Sequence, residues 1–388
     1  MRVPQHYPSN DHLRRAARRR LPRFAYDYVD GGTGPEVGLR RNREALDAVT
    51  LVPRYVTDRE PVVMSVDLFG RSYTRPFGIA PMGLAGLMCP QAELHFARAA
   101  GRTGFPGVLA TACTVEIEDF GRSADGMGWF QLSPPQDEEV NDDLLRRATD
   151  SGCSVAVVTV DAPTRGWRPR DMYNDLAVPP RLTARNIMRA AVRPGWSLAT
   201  VSSGMPRFRT LGRYAPGRGM FDIAAYVTEQ IGNPVSRERL QRIRDCWDGE
   251  LVIKGIMHPA DAEAAIAMGY TGILVSNHGG RQLDASPAPV EVLPEILRAA
   301  GDRAVVMVDS GFSSGLDIIK AYALGARFVF CGRVFMWGVS ALGRRGPDHV
   351  VSMLTDEVTL AMTQIGCSRI ADLDSSWLGE TAPGPRPR

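Results

Sequence analysis

The sequence predicts an α/β fold, a (β/α)8 TIM barrel. Three observations carry this: eight strand-length apolar runs, helical patterns between most of them, and a polar group closing nearly every run. The runs lie at 77–83 (FGIAPMG), 107–112 (GVLATA), 128–132 (GWFQL), 155–161 (VAVVTVD), 251–255 (LVIKG), 272–276 (GILVS), 304–309 (AVVMVD) and 328–332 (FVFCG). Continuous apolar runs, unlike alternating ones, mark strands buried on both faces, which is the condition of a parallel sheet. Helical patterns at 92–100, 142–149, 259–268 and 314–324 supply crossovers, and eight strands fit a closed barrel better than an open sheet.

Ahead of the barrel, 12–30 reads as a basic amphipathic helix, with a second short helix after Pro22 that ends at Gly31 and Gly32, a C-cap signal. Residues 43–76 show no steady period and read as a connecting arm. The spacing breaks once, between the fourth and fifth strands, where an insertion at about 176–221 carries eight Arg and no acid. Interleaved with them are Ile187, Met188, Trp196, Leu198, Met205, Phe208 and Leu211. This segment reads as an active-site lid or a patch resting on an anionic membrane surface, the plainer alternative being a mobile, solvated insertion. The expectation is one domain over 1–388, with the barrel at about 77–366 and a flexible tail at about 375–388.

Composition narrows the function classes. A net charge of +3 and the lack of any nucleic-acid motif argue against nucleic acid as a partner. The six Cys are scattered without a CxxC pair and read as reduced thiols. The N-terminus has no signal-peptide core, and no run approaches the ~20 apolar residues of a spanning helix. A cytoplasmic enzyme is expected, with peripheral contact at the inner face of the membrane as the one departure. His6, His12, His95, His258 and His349 lack ligand spacing, so no metal site is expected.

Chemistry concentrates at the strand ends, where barrels place their reactive residues. The most informative stretch is SNHGGRQLD, 276–284, where His278 and Arg281 leave the sixth strand on a glycine-rich turn. A base that changes charge near neutral pH, three residues from a planar fork that matches a carboxylate, suits an acid that must lose a proton while it is held. Only Lys254 and Lys320 are lysines among 46 Lys plus Arg, so Lys254, ending the fifth strand, is a candidate for a compact ammonium that guanidinium cannot replace. DSGFSSG and CGR close strands seven and eight, the usual place for a barrel's phosphate site.

SNHGGRQLD, LVIKGI, VDSG and the terminal GR, together with YDYVDGG, FGIAPMGLAG, WFQL, VTVDAP and RDMYN, resemble the FMN-dependent 2-hydroxy-acid dehydrogenase and oxidase family from about Leu21 to about Leu373. RPGWSLATVSSGMP, DSGFSSGLDIIKA and QIGC are most similar to its membrane-associated (S)-mandelate and L-lactate dehydrogenase branches. The resemblance implies FMN as cofactor, a 2-hydroxy acid as substrate and a homotetramer. It makes His278 the base, Asp161 the carboxylate that orients and stabilises its imidazolium, Arg281 and Arg168 the carboxylate clamp, and Tyr28 a substrate donor. Lys254 would place positive charge near N1 and O2 of the flavin. Met82, Gly83, Ala110, Gln131 and Thr159 would line the ring, Ser276 and Asp309 the ribityl region, and Gly311, Ser313, Gly332 and Arg333 the phosphate.

Two departures from the family pattern matter. Ser133 in FQLSP stands where FQLYV has a tyrosine, and Ala112 and Gly83 are small, so the pocket is expected to take an acid larger than glycolate, mandelate-like or lactate-like. Ser313 in FSSG stands where FRRG or VRSG has a cation, removing a charge-assisted contact of roughly 1.5 to 3 kcal/mol. The leading expectation is oxidation of an (S)-2-hydroxy acid to the 2-oxo acid with a quinone or other carrier as acceptor. The alternatives are an oxygen-using oxidase in a biosynthetic pathway, or a flavin-binding protein whose catalysis is lost or altered.

Overall fold

The structure is a computed structural model that describes residues 6–56, 60–176 and 183–379. A three-residue hairpin, β1 (Val66–Leu68) and β2 (Arg71–Tyr73), precedes eight parallel strands. These are β3 (Phe77–Ile79), β4 (Gly107–Ala110), β5 (Gly128–Leu132), β6 (Val155–Thr159), β7 (Glu250–Ile256), β8 (Gly272–Val275), β9 (Val305–Val308) and β10 (Phe328–Cys331). They close into one barrel in sequence order, with β10 pairing β3. Each apolar run of the sequence is therefore a barrel strand, with its polar end residues in the last positions of the strand, as Gln131, Thr159 and Lys254 are, or just past it, as Asp161, Ser276 and Asp309 are.

Two shells of apolar packing hold the barrel. Inside it Trp129, Met307, Phe328, Phe330 and Leu274 are buried together with Leu68 and Tyr73 of the hairpin. Trp129 stacks edge-on to Tyr73 at 6.3 Å and donates its indole N–H to the Tyr73 hydroxyl at 3.2 Å. The hairpin thus plugs the N-terminal mouth, so the segment read as a connecting arm contains a structural stopper. Outside, the crossover helices bury their apolar stripes against the strands in a second, larger core.

The N-terminal segment forms α1 (Asn10–Arg20), α2 (Arg23–Asp30) and α3 (Val37–Ala48). The third was not anticipated. It starts from a left-handed Glu36 with no capping side chain, so the sequence carries no N-cap signal there. Lys320, the second lysine, fixes it from below by donating to the Leu46 carbonyl at 2.7 Å.

The Arg-rich insertion is helical, over Ala184–Ala191, Pro194–Ser203, Arg209–Gly212 and Met220–Gln230. It is anchored, contrary to the reading of a mobile, solvated segment. Trp196 donates to the Leu87 carbonyl at 2.8 Å and packs edge-on against Phe24 of α2 at 5.5 Å, while Thr210 is fully buried and donates to the Val115 carbonyl at 3.0 Å. Ile187, Met188, Leu198 and Val201 nevertheless remain exposed. Residues 177–182 of the insertion lie outside the described residues. The first part of the tail expected to be flexible, 375–379, is held in place: Leu378 bridges Leu51 and the Gly379 N–H donates to the Thr50 carbonyl at 3.0 Å. The rest of that tail, 380–388, falls outside the described residues.

Candidate active site

Parallel pairing aligns the C-terminal ends of neighbouring strands, and here it sets chemically useful residues side by side. Ala110 pairs with Gln131, and Thr159 with Lys254. Gln131 Nε2 donates to Thr159 Oγ1 and to Ser133 Oγ, both at 2.9 Å. Together with Met82, Gly83, Ala112, His278, Arg281, Asp309, Gly311, Ser313, Gly332 and Arg333 they line one cavity of about 1090 Å³ at the C-terminal mouth. Ser276 is fully buried just behind it. The structure thus brings all the residues singled out in the sequence to one place.

His278 is held in a left-handed conformation (φ +58°) that L side chains rarely adopt. Its Nδ1 lies 3.1 Å from Asp161 Oδ1, while the other oxygen of that carboxylate is buried without a hydrogen-bond partner among the described residues. Burial pushes the imidazole below its ordinary pKa, with Asp161 opposing and Lys254 adding to the depression. His278 is therefore neutral at physiological pH and free to accept a proton. Asp161 stays ionised: burial works against the charged form, but His278 and Lys254 more than offset it.

Lys254 sits fully inside the protein. Its Nζ donates to Ser276 Oγ at 2.7 Å and lies 3.4 Å from Asp309 Oδ2. Burial alone would lower its pKa, yet Asp309 and Asp161 hold it above the ordinary value, so the ammonium persists. The loop after β6 brings in a second set of cations. Arg168 Nε donates to the Arg281 carbonyl at 3.3 Å, and Arg281 Nη1 donates to the carbonyls of Tyr28 and Gly31 at 2.7 Å. Glycine is required at 166, because a Cβ there would stand 2.3 Å from the Arg281 carbonyl oxygen. Burial and the neighbouring Arg281 push Arg168 down to about 10. Two crowded cations of this kind need an anion between them. Tyr28 donates to the Gly83 carbonyl at 3.2 Å, and burial raises its pKa despite Arg281 and Arg168, which keeps the phenol a donor.

These residues fit FMN. Arg333 is half-buried and, among the described residues, donates to the carbonyls of Val29, Gly31 and Gly279. Burial and then Arg281 push its pKa down to about 9, the signature of a desolvated cation awaiting an anion. Its helix, Arg333–Leu342, opens at Gly332 with no side-chain cap. The turn after β9 is less open. The N–H groups of Ser313 and Ser314 already donate to Asp317 at 3.0 Å, and that of Gly315 to Glu357 at 2.6 Å. Asp317 is in turn held by both terminal nitrogens of Arg43. Of the two turns, the one after β10 is the more open to an anion.

Several site residues escaped the sequence reading. Asp171, whose pKa burial raises against Arg281 and Arg168, lies 3.9 Å from Arg168; its spacing within RPRD was the available signal. Asn42 of α3 and Asn277 exchange amide hydrogen bonds at 2.9 and 2.6 Å and anchor the turn that carries His278. Ser310 has φ +80° and bonds both Asp309 and Gly279. Nothing in the sequence marks it. Among the described residues no group of His, Cys, Asp or Glu could hold a metal ion, and no helix is long and apolar enough to cross a membrane.

Residues 17–380 match the family model described as FMN-dependent dehydrogenase. The chain is 37% identical over 377 residues to an L-lactate dehydrogenase of Caulobacter sp. (strain K31), covering 96% of this chain and 98% of that one. It is 35% identical over 367 residues to the (S)-mandelate dehydrogenase of Pseudomonas putida, covering 94% and 92%. Among solved structures, the monotopic membrane protein (S)-mandelate dehydrogenase superposes with a TM-score of 0.91 at 34% identity, covering 96% of this chain and 98% of that one. A mandelate oxidase superposes with a TM-score of 0.81 at 35% identity, with the same coverage.

Proposed function

The chain belongs to the FMN-dependent dehydrogenase family, and from that premise we propose how its barrel mouth oxidises an (S)-2-hydroxy acid to the 2-oxo acid. FMN, when bound, supplies the two-electron acceptor. Arg168 and Arg281 clamp the substrate carboxylate, and Tyr28 hydrogen-bonds the acid beside them. The clamp presents the 2-position to His278 Nε2. His278 takes the proton there, and Asp161 stabilises the imidazolium that forms. Lys254, kept protonated by Asp309 and Asp161, would hold a positive charge beside the bound flavin and favour its reduced, anionic form. The observation that carries this reading is the juxtaposition of the Asp161–His278 pair, 3.1 Å apart, with a buried ammonium and two guanidinium groups at one mouth.

The substrate is an acid with a side chain larger than that of glycolate, mandelate-like or lactate-like. Ser133, Ala112 and Gly83 support this, since all three are small and line the cavity. A quinone or other carrier, not oxygen, is the electron acceptor, a preference that rests on Gly83. Screening 2-hydroxy acids for anaerobic bleaching of bound flavin tests the reaction: bleaching by aromatic or long-chain (S)-acids supports it, and no bleaching by any acid overturns it. Stoichiometric peroxide on aerobic turnover would reverse the assignment of the acceptor.

The insertion rests on a membrane surface. Its exposed Ile187, Met188, Leu198 and Val201 lie among arginines, the pairing of apolar and cationic groups that favours an anionic interface. The enzyme works as a homotetramer at the inner face of the membrane, which sedimentation and fractionation test.

A further inference from the structure

Ser310 sits at φ +80°, a backbone conformation that glycine adopts freely and L side chains rarely do. The chain keeps a hydroxyl there despite the strain, and that hydroxyl makes two bonds. It accepts the Gly279 N–H at 2.9 Å and donates to Asp309 Oδ1 at 2.7 Å. Asp309 Oδ2 lies 3.4 Å from Lys254 Nζ, which donates to Ser276 Oγ at 2.7 Å. Ser276 Oγ also accepts the N–H of His278 at 3.1 Å. The contacts close a circuit. Two serine hydroxyls join one lysine and one aspartate to consecutive N–H groups of the turn that carries the base. That turn needs such support, since His278, Gly279 and Gly280 are all left-handed (φ +58°, +67° and +71°) and cannot form a regular hydrogen-bonded ladder.

We propose that Ser310 is a positioning residue that ties the His278 turn to the Lys254–Asp309 pair. The placement of the base and the charge facing the cofactor are then set together. The inference rests on the roles given above to His278 and Lys254. Ser310→Gly separates the hydroxyl from the backbone: it relieves the strain but leaves the Gly279 N–H without its acceptor and Asp309 Oδ1 without the serine donor, while Oδ2 keeps Lys254. A less neutralised Asp309 then makes the field at Lys254 more negative.

The test uses the FMN-loaded full-length enzyme. Ser310→Gly is expected to keep its thermal midpoint and flavin absorbance, to bleach about tenfold more slowly with substrate at little change in KM, and to show a lowered flavin midpoint potential. Ser310→Ala is expected to lose the same rate and, unlike the glycine variant, some thermal stability. Wild-type bleaching rate together with an unchanged potential in Ser310→Gly would overturn the inference. If no acid bleaches the wild type, the functional reading fails instead, and the potentials of wild type and Ser310→Gly still decide whether Ser310 couples to the cofactor site.

Discussion

Asp161→Asn is the most informative single change, because the variant can keep the contact to His278 while losing the charge. The carboxylate lies 3.1 Å from Nδ1, and its second oxygen is buried with no hydrogen-bond partner among the described residues. Its field is therefore little dissipated by other donors. When His278 gains a proton, the new ion pair, with charge centres about 4 Å apart, gains on the order of 4 kcal/mol at an effective dielectric constant of 20. Lys254 opposes part of this, since it also lowers the pKa of His278. A net loss of about 2 to 3 kcal/mol corresponds to a fall in kcat/KM of about 100-fold. Stopped-flow bleaching of the flavin across a pH series measures it. The sign of the pH effect is a second check. In the wild type, His278 is competent above its depressed pKa, so kcat/KM falls in acid with a midpoint below the ordinary 6.5. Asp161 is the group that raises this pKa, so its removal should move the acid limb to still lower pH while the plateau drops. A plateau within threefold of wild type, or an acid limb that moves upward, would refute the assignment of Asp161.

Three further changes probe the departures and the insertion. Ser133→Tyr should fill the space beside Gln131 and shift the ratio of kcat/KM values for mandelate and glycolate about tenfold toward glycolate; an unchanged ratio would remove Ser133 from the specificity argument. Ser313→Arg should tighten FMN about tenfold or more, from a charge-assisted contact of roughly 1.5 to 3 kcal/mol, and leave riboflavin affinity unchanged in a fluorescence titration. Equal tightening of both ligands would show that the added cation does not meet the phosphate. Leu198→Glu with Val201→Glu should weaken cosedimentation with anionic vesicles and leave turnover in solution unaltered; undiminished cosedimentation would dismiss the membrane-facing role.

The barrel was legible because parallel strands buried on both faces leave continuous apolar runs, and each of the eight runs is a strand. The hairpin was not. Three residues per strand are too few to establish a period, and Tyr73 acquires its meaning from Trp129, 56 positions away, and from Phe328, whose ring lies 6.2 Å off. The same division runs through the site. His278, Asp161 and Lys254 stood out because strand ends are where reactive residues collect. Ser310 stayed hidden because its role arises from a left-handed backbone and from a contact to Gly279 on a separate loop. Scarcity of lysine singled out Lys254, which lines the cavity, while Lys320 shows the limit of that signal, since that buried ammonium does a structural task for α3.

The plug formed by Leu68, Tyr73 and Trp129 also bears on traffic. With the far end stoppered, the acid, its oxidised product and any electron acceptor that approaches the ring share the rim at the C-terminal mouth. Departure of the oxo acid then precedes reoxidation whenever the acceptor is too bulky to pass an occupied clamp. Initial-rate plots against the two reactants would accordingly run parallel instead of converging, and the oxo acid would compete with its own precursor for the arginines.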